Sequence, residues 1–122
     1  ELAYAVQNKL NYGPVKNKAG NFVLASTAST TAAASMAVKE LKKDVPVTIV
    51  NEPGANSYPI SGFTYLLVPK SPKDTATSAA LVDFLTWTMG PGQGMADSLL
   101  YAPLPAEAVS INSAAIKSIK TK

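Results

Sequence analysis

The segment Gly62–Val68 constrains the fold of this chain more than any other stretch of its sequence. One set of alternate positions holds Phe, Tyr and Leu, and the other set holds Thr, Leu and Val. Because successive side chains of a β-strand point to opposite faces, both faces of this strand are largely apolar. Such a strand is typical of the centre of a sheet that is covered on both sides. We therefore expect Gly62–Val68 to need neighbouring strands and packing on both faces.

Two helices are predicted in the first part of the chain. Apolar residues recur at four-residue intervals over Glu1–Leu10, which predicts a short amphipathic helix. Ser26–Thr31 is rich in hydroxyl side chains, which cap the starts of helices, and Ala32–Lys43 continues with a helical apolar pattern.

Extended segments lie between and after these helices. Tyr12–Lys16 and Asn21–Leu24 predict a hairpin around a turn at Asn17–Gly20. Val45–Val50 is β-branched and predicts a strand, and Pro46 favours an edge or a strand start because it cannot donate to a ladder.

The last third of the chain has a helical pattern. Ser71–Asp74 predicts a helix start with Ser71 as the capping residue. Gly90–Gly92 is expected to break this helix, and Gln93–Leu100 is expected to continue in helical conformation after the break. Ala106–Lys120 is predicted to form the last helix of the chain. Strands and helices alternate along the chain, so the predicted fold class is α/β.

The composition excludes several kinds of chemistry. The 122 residues contain no cysteine and no histidine, and all eleven basic residues are lysine. Disulfides, thiol nucleophiles and the commonest zinc ligands are therefore absent, as is the guanidinium fork that best binds phosphate. Asp83 is a single carboxylate that is predicted to lie on the solvent-exposed face of a helix. Glycosidase chemistry needs a second carboxylate at a defined spacing, and the sequence shows none. We expect no catalytic residue, no metal site and no cofactor in this chain, and we expect that it is not an enzyme.

The charge pattern does not favour a nucleic-acid partner. The net charge is +3, and the lysines gather only in Lys39–Lys43 and Lys117–Lys122, which contain no aromatic residue for stacking on bases. These lysines are predicted to lie on solvated helix faces. The apolar runs are far shorter than the roughly 20 residues of a membrane span, so no span is predicted.

Two segments are candidate anion sites, and a structural role is the stronger prediction for each. Gly90–Gly94 lacks the Lys-Ser/Thr ending of a phosphate-binding loop and is predicted to be a helix break. Ser26–Thr31 has no Arg or Asp nearby and is predicted to cap a helix. Trp87 could stack on a ligand, but packing in the core or on the surface is the preferred interpretation.

Three segments carry a resemblance to a known family. They read Ser57-Tyr58-Pro59-Ile60-Ser61-Gly62-Phe63-Thr64-Tyr65-Leu66-Leu67-Val68-Pro69-Lys70, then Leu81-Val82-Asp83-Phe84-Leu85-Thr86-Trp87, then Tyr101-Ala102-Pro103-Leu104-Pro105. In this order they resemble the carboxy-terminal part of the periplasmic phosphate-binding proteins, the receptors of phosphate ABC importers (the PstS family). The resemblance covers nearly the whole chain but only the last third or so of such a receptor.

The resemblance implies a partial periplasmic-binding-protein type II architecture made of pieces of two α/β lobes. Residues 1–57 would be the end of the second lobe, and residues 62–122 the carboxy-terminal part of the first. The chain would cross between the lobes at residues 58–61, with Tyr58, Pro59, Ile60 and Ser61 as hinge residues. Val45–Val50 and Gly62–Val68 should then belong to different packing units.

The resemblance also implies a function without a complete binding site. The family's phosphate ligands lie upstream of this segment, so we expect no phosphate-binding residue here and a framework role in a periplasmic or cell-surface receptor. The implied partners are the amino-terminal portion of the same receptor or a second copy of the chain, inorganic phosphate through the complete receptor, and an ABC permease. The alternative is a stand-alone interaction or oligomerisation module without transport activity.

Overall fold

The computed structural model describes residues 1–41 and 46–121, apart from the side chain of Thr75. Five α-helices and one two-stranded sheet form along this part of the chain, a mixture compatible with the α/β class. In chain order they are α1 (Leu2–Gln7), β1 (Val15–Lys16), β2 (Phe22–Val23), α2 (Thr27–Ala37), α3 (Thr75–Met89), α4 (Gln93–Ala96) and α5 (Ala106–Lys117). Short 3-10 turns extend α2 over Val38–Glu40 and α4 over Asp97–Leu99.

The predicted hairpin is confirmed. Strands β1 and β2 pair antiparallel, with Val15 opposite Val23. The turn closes through the Gly20 amide, which donates to the Asn17 carbonyl at 2.9 Å. Gly20 has a φ of 90°, a left-handed conformation that glycine adopts without the steric cost of a side chain.

Helix α2 begins five residues earlier than the apolar pattern predicts. Ser26 is the N-cap, and its side chain accepts a hydrogen bond from the Ser29 amide at 3.0 Å. The Ser29 hydroxyl in turn accepts from the Ser26 amide at 3.0 Å, which completes a capping box. The expectation that Ser26–Thr31 caps a helix is thus confirmed, but its hydroxyl residues also form the first turn. Of the predicted end of this helix, residues 42 and 43 lie outside the described residues.

Helix α3 begins later than predicted, and Ser71 is not its cap. Asp74 is the N-cap, and its carboxylate accepts hydrogen bonds from the amides of Ala76 at 3.0 Å and Thr77 at 3.3 Å. Hydrogen bonds from the side chain and the amide of Thr77 lower the pKa of the Asp74 carboxyl. The Asp74 carboxylate accepts hydrogen bonds from free amides of the first turn, and its negative charge is favoured by the helix dipole. The helix is therefore capped by Asp74 and not by Ser71, three residues upstream.

The two other predicted strands do not form in the described residues. Residues 46–49 and 61–69 are assigned to no strand, and Val45 lies outside the described part of the chain. A β-strand needs a neighbouring strand whose backbone amides and carbonyls form hydrogen bonds with its own. None of the described segments pairs with residues 46–49 or 61–69 in this way. Burial in the first segment still alternates, because Val47 and Ile49 point inward while Thr48 and Val50 are exposed.

The buried core consists of two small parts. Ala34, Ala37 and Ile49 form one cluster, against which Val47 and Phe63 pack. Helices α3 and α5 pack against each other and form the second, where Leu85, Ala108 and Ile116 are buried. Most of these side chains are small, so each part removes little apolar surface from water.

The chain exposes far more surface than a compact protein of its size. Its accessible surface is 8257 Å². A folded monomer of 12.7 kDa exposes about 6,200 Å². The excess, about 2,000 Å², includes large apolar side chains, with Leu67 94% and Leu66 68% exposed. These residues lack the cover that their chemistry requires.

Candidate functional site

An open cleft of about 590 Å³, here called the central cleft, is lined by residues of α1 and α2, by residues 100–104, and by Tyr58 and residues 60–64. Three of the four residues of the predicted crossing segment therefore line this cleft.

The polar groups of the cleft are acidic or neutral. Glu1, Thr30, Thr64 and Tyr101 line it among mostly apolar residues, and none of its described lining residues is a lysine. The Tyr101 hydroxyl donates to Glu1 Oε2 at 3.1 Å, and this hydrogen bond raises the pKa of Tyr101. A carboxylate disfavours a nearby anion by like-charge repulsion. The expectation that this chain holds no phosphate ligand stays a prediction.

The crossing segment is tied to the first half of the chain by backbone hydrogen bonds. The Tyr58 amide donates to the Ser29 carbonyl at 3.1 Å, and the Asn51 amide donates to the Pro59 carbonyl at 2.9 Å. The Ser61 hydroxyl donates back to the Tyr58 carbonyl at 2.9 Å. Ile60 is the most exposed of the four residues, at 68%. The hinge role of these four residues stays a prediction.

Asn17 anchors the loop that leads into the crossing, and the sequence analysis missed this role. Its side chain is 5% exposed, and its Nδ2 donates to the carbonyls of Gly54 at 3.2 Å, Ala55 at 2.9 Å and Ser57 at 3.1 Å. Its Oδ1 accepts from the Asn21 amide at 3.0 Å. The hairpin pattern explains an asparagine at this turn, but partners about forty residues away leave no local signal in the sequence.

Hydrogen bonds from three hydroxyls join residues 1–31 to residues 97–103. Thr27 donates to Asp97 Oδ1 at 2.5 Å, and Thr31 donates to the Pro103 carbonyl at 3.0 Å. The third is the bond from Tyr101 to Glu1. Each of these contacts links residues at least seventy positions apart in the sequence.

The hydroxyls at the start of α2 have several roles. Those of Ser26 and Ser29 form the capping box, whereas those of Thr27 and Thr31 donate to Asp97 and to the Pro103 carbonyl. Asp97 also places a carboxylate beside this helix start. The predicted capping role therefore accounts for Ser26 and Ser29, and Thr30 lines the central cleft.

The predicted helix break at Gly90–Gly92 is confirmed. A Cβ at Gly92 would lie 2.9 Å from Thr88 Cα, so the turn excludes a larger residue without rearrangement. The Gln93 side chain fixes the next segment, because Nε2 donates to the Thr88 carbonyl at 2.7 Å and Oε1 accepts from the Leu104 amide at 2.8 Å.

The remaining single candidates have the structural roles that the sequence predicts. Asp83 is exposed on α3. Trp87 is 44% exposed and stacks on Phe84, with 6.1 Å between ring centroids.

Among residues 1–41 and 46–121, no group of acidic, His or Cys side chains is arranged to hold a metal ion. None of the helices described is long and apolar enough to cross a membrane.

Comparison with known proteins confirms the resemblance to PstS. The chain is 42% identical over 109 residues to the phosphate-binding protein PstS of Xylella fastidiosa strain Temecula1, which covers 89% of this chain and 30% of that protein. It is 38% identical over 110 residues to PstS of Haemophilus influenzae, covering 90% of the chain and 33% of the relative. PstS of Methanocaldococcus jannaschii is 36% identical over 133 aligned positions, and the match covers 98% of this chain and 34% of that protein. No protein-family model matches the chain. The chain therefore spans about a third of the length of the curated relatives it matches.

Proposed function

We propose that residues 1–122 are the framework part of an extracytoplasmic phosphate-binding receptor that serves an ABC permease. The carrying observation is the coverage: relatives named as phosphate-binding proteins match 89–98% of this chain, but the match covers 30–34% of each relative. On this proposal the chain is the carboxy-terminal third of such a receptor, as the order of the motifs that resemble the family predicts. The remaining two thirds would then supply the phosphate ligands.

The uncovered surface of the chain supports an obligate partner. The excess accessible area of about 2,000 Å² is more than twice the roughly 800 Å² that each partner buries in a standard interface. Scattered exposed apolar residues are normal in proteins, but an excess of this size is not. The partner that best fits is the amino-terminal portion of the same receptor, whose lobes would interleave with these segments.

The segment Gly62–Val68 supports the same partner. Its sequence is that of a central strand, yet it lies unpaired, with Tyr65 45%, Leu66 68% and Leu67 94% exposed. An exposed unpaired edge of this kind is a template for another strand. Upstream strands of the receptor would complete the sheet and bury both faces.

The division into lobes 1–57 and 62–122, joined at 58–61, is part of this proposal. Helices α3 and α5 pack mainly on each other, which fits a second packing unit. Phe63, however, packs against the cluster of Ala34, Ala37 and Ile49. The Tyr65 hydroxyl also accepts a hydrogen bond from the Val47 amide at 2.8 Å and donates one to the Val47 carbonyl at 3.0 Å. The expectation that Val45–Val50 and Gly62–Val68 belong to different packing units is therefore wrong from Phe63 to Tyr65, and on this proposal the lobes would separate only beyond Tyr65.

The proposed role excludes direct phosphate binding by this segment. The chain has no arginine, and four hydroxyls at the start of α2 have partners within the chain, those of Ser26, Thr27, Ser29 and Thr31. The central cleft contributes a carboxylate and no lysine among its described lining. Phosphate would be held by ligands of the upstream lobes, and this chain would position them without performing catalysis.

Isothermal titration with inorganic phosphate tests the proposal. We expect the isolated chain to show no micromolar affinity, and the chain joined to its upstream segment to bind phosphate. The matched control is the upstream segment alone, which should bind weakly or not at all because it lacks the framework. Tight binding by the isolated chain, or no binding by the joined protein, contradicts the proposal.

The unpaired strand segment also favours a second candidate, a stand-alone oligomerisation module. Two copies could pair along Gly62–Val68, since such edges recruit strands from other chains. Sedimentation of the purified chain with and without the upstream segment separates the two functions. A receptor part gives a one-to-one complex with the upstream segment, whereas a module remains a homo-oligomer in its presence.

A further inference from the structure

Lysines from two distant parts of the sequence gather at one end of the packed helices α3 and α5. Lys70 and Lys73 lie in the segment before α3, whereas Lys117 and Lys120 lie at the end of α5 and just beyond it. The Lys120 amide donates to the Lys70 carbonyl at 2.8 Å, which holds the two segments side by side. All four lysines are exposed, and together they are here called the basic patch.

This end of the molecule holds the net charge of the whole chain. Residues 70–74 and 117–121 contain four lysines and one acid, Asp74, so their net charge is +3. The complete chain also has a net charge of +3, so the charges of its other residues balance. The Asp74 carboxylate is engaged as a helix cap by the amides of Ala76 and Thr77. The basic patch is therefore a local concentration of positive charge on a chain that is otherwise neutral.

We propose that the basic patch docks the protein on the anionic lipid surface of a membrane. Exposed lysines close to an anionic bilayer are attracted to its headgroups without the need for a shaped pocket. Lysine is almost never fully buried, so these side chains should stay in solvent when the upstream part of the receptor covers the apolar surface. The inference rests on the proposed function for its setting, because a receptor that serves a membrane permease works beside a bilayer.

The residues around the basic patch favour a lipid surface over a protein partner. The cores of protein interfaces are enriched in aromatic residues and arginine and depleted in lysine. Residues 70–74 and 117–121 contain no aromatic residue and no arginine, and their one large apolar side chain, Ile119, is half-buried. Lysines on flexible stems also lack the rigid fork that fixes a single phosphate group. Diffuse attraction to many headgroups is the interaction that such a surface supports.

Binding to lipid vesicles tests this docking. The experiment uses the natural polypeptide that contains residues 1–122, in the unmodified form and as the patch variant Lys73→Gln, Lys117→Gln and Lys120→Gln. One set of vesicles contains equal parts of phosphatidylglycerol and phosphatidylcholine, and the other contains phosphatidylcholine alone. Sedimentation of the vesicles measures the partition constant of each protein.

The first part of the chain offers a matched control. Lys9, Lys16 and Lys18 lie at exposed positions before α2. The control variant Lys9→Gln, Lys16→Gln and Lys18→Gln removes the same three charges by the same chemical change. The patch and control variants therefore have equal net charge and differ only in where the charge is lost.

The unmodified protein should bind the anionic vesicles and not the neutral ones. Binding should weaken as the salt concentration rises from about 0.1 M to about 1 M, because salt screens exposed charges. The patch variant should lower the partition constant about 100-fold, or about fivefold for each lysine. The control variant should lower it about twofold or less, because charges more than a Debye length from the bilayer are screened.

Several results overturn the proposal. They are no binding to anionic vesicles, equal binding to neutral vesicles, and equal losses in the patch and control variants. If the patch variant loses helical circular dichroism, the three single variants decide, and each should weaken binding about fivefold. No change in any single variant also overturns the proposal.

Isothermal titration with inorganic phosphate separates this inference from the proposed function. The patch and control variants should bind phosphate as the unmodified protein does, because the proposed phosphate ligands lie in the upstream lobes. A protein that docks on vesicles through the basic patch but never binds phosphate keeps this inference and loses the proposed function. A protein that binds phosphate but ignores anionic vesicles is a receptor without this docking surface. Weaker phosphate binding in the patch variant alone would assign these lysines to the anion and overturn the proposal.

Discussion

Replacement of Asn17 is the sharpest stability test that this structure offers. Asn17→Ala removes the side-chain hydrogen bonds to the carbonyls of Gly54, Ala55 and Ser57 and from the amide of Asn21, although the Gly54 and Ala55 carbonyls each keep one other donor. The two protons of Nδ2 are shared among three carbonyls, so the side chain contributes about three full hydrogen bonds in all. At about 1 kcal/mol each, we expect the free energy of unfolding to fall by about 3 kcal/mol.

Asn21→Ala is the matched control for this variant. The Asn21 side chain is exposed and donates one hydrogen bond, to the Ala55 carbonyl at 3.1 Å. Its removal should cost about 0.5–1 kcal/mol. Asn17→Asp should be more damaging than Asn17→Ala at neutral pH, because it places a buried carboxylate against three carbonyl oxygens.

Urea unfolding of the natural polypeptide that contains residues 1–122 measures these differences. Hydrogen exchange of residues 54–58 provides the local readout, since loss of the Asn17 anchor should loosen the loop before the crossing segment. The reasoning is refuted if Asn17→Ala costs no more than Asn21→Ala, or if exchange in the loop stays unchanged.

Three further predictions concern single sites and are checked by urea unfolding of the same polypeptide. Gly92→Ala should cost about 1–3 kcal/mol, because the new Cβ would lie 2.9 Å from Thr88 Cα; Gly94→Ala, with nothing within 4 Å, should be neutral or stabilising by up to about 1 kcal/mol. Ser57→Ala should be neutral or stabilising by up to about 1 kcal/mol, because the Ser57 hydroxyl is buried and has no hydrogen-bond partner within residues 1–41 and 46–121; a clear loss of stability would contradict this assignment. The lowered pKa of Asp74 means that its capping contribution is present at neutral pH and is lost as the pH falls below about 4, so Asp74→Asn should flatten the acid side of the stability profile. Identical acid profiles for the two proteins would contradict that assignment.

Features that depend on neighbouring residues were predictable from the sequence. The hairpin around Asn17–Gly20, the break at Gly90–Gly92 and the start of α5 at Ala106 all follow from turn and helix chemistry within a few residues. The predicted starts of α2 and α3 were wrong by only a few residues. At Ser26 and Asp74 the pattern marked the helix, but the choice of capping residue depended on which side chain reached the free amides.

Features that depend on distant residues were not predictable in this way. The anchor at Asn17 and the hydrogen bonds of Thr27 and Thr31 join residues tens of positions apart, and only the folded chain brings them together. By itself the sequence determined the local helices and turns, the absence of His, Cys and Arg chemistry, and a strand-like segment at Gly62–Val68 that must be covered. Only the tertiary structure decided that this segment lies unpaired and that the crossing segment lies in a cleft. The physical reason is that a helix satisfies its backbone groups within itself, whereas a strand depends on partners that its own sequence does not specify.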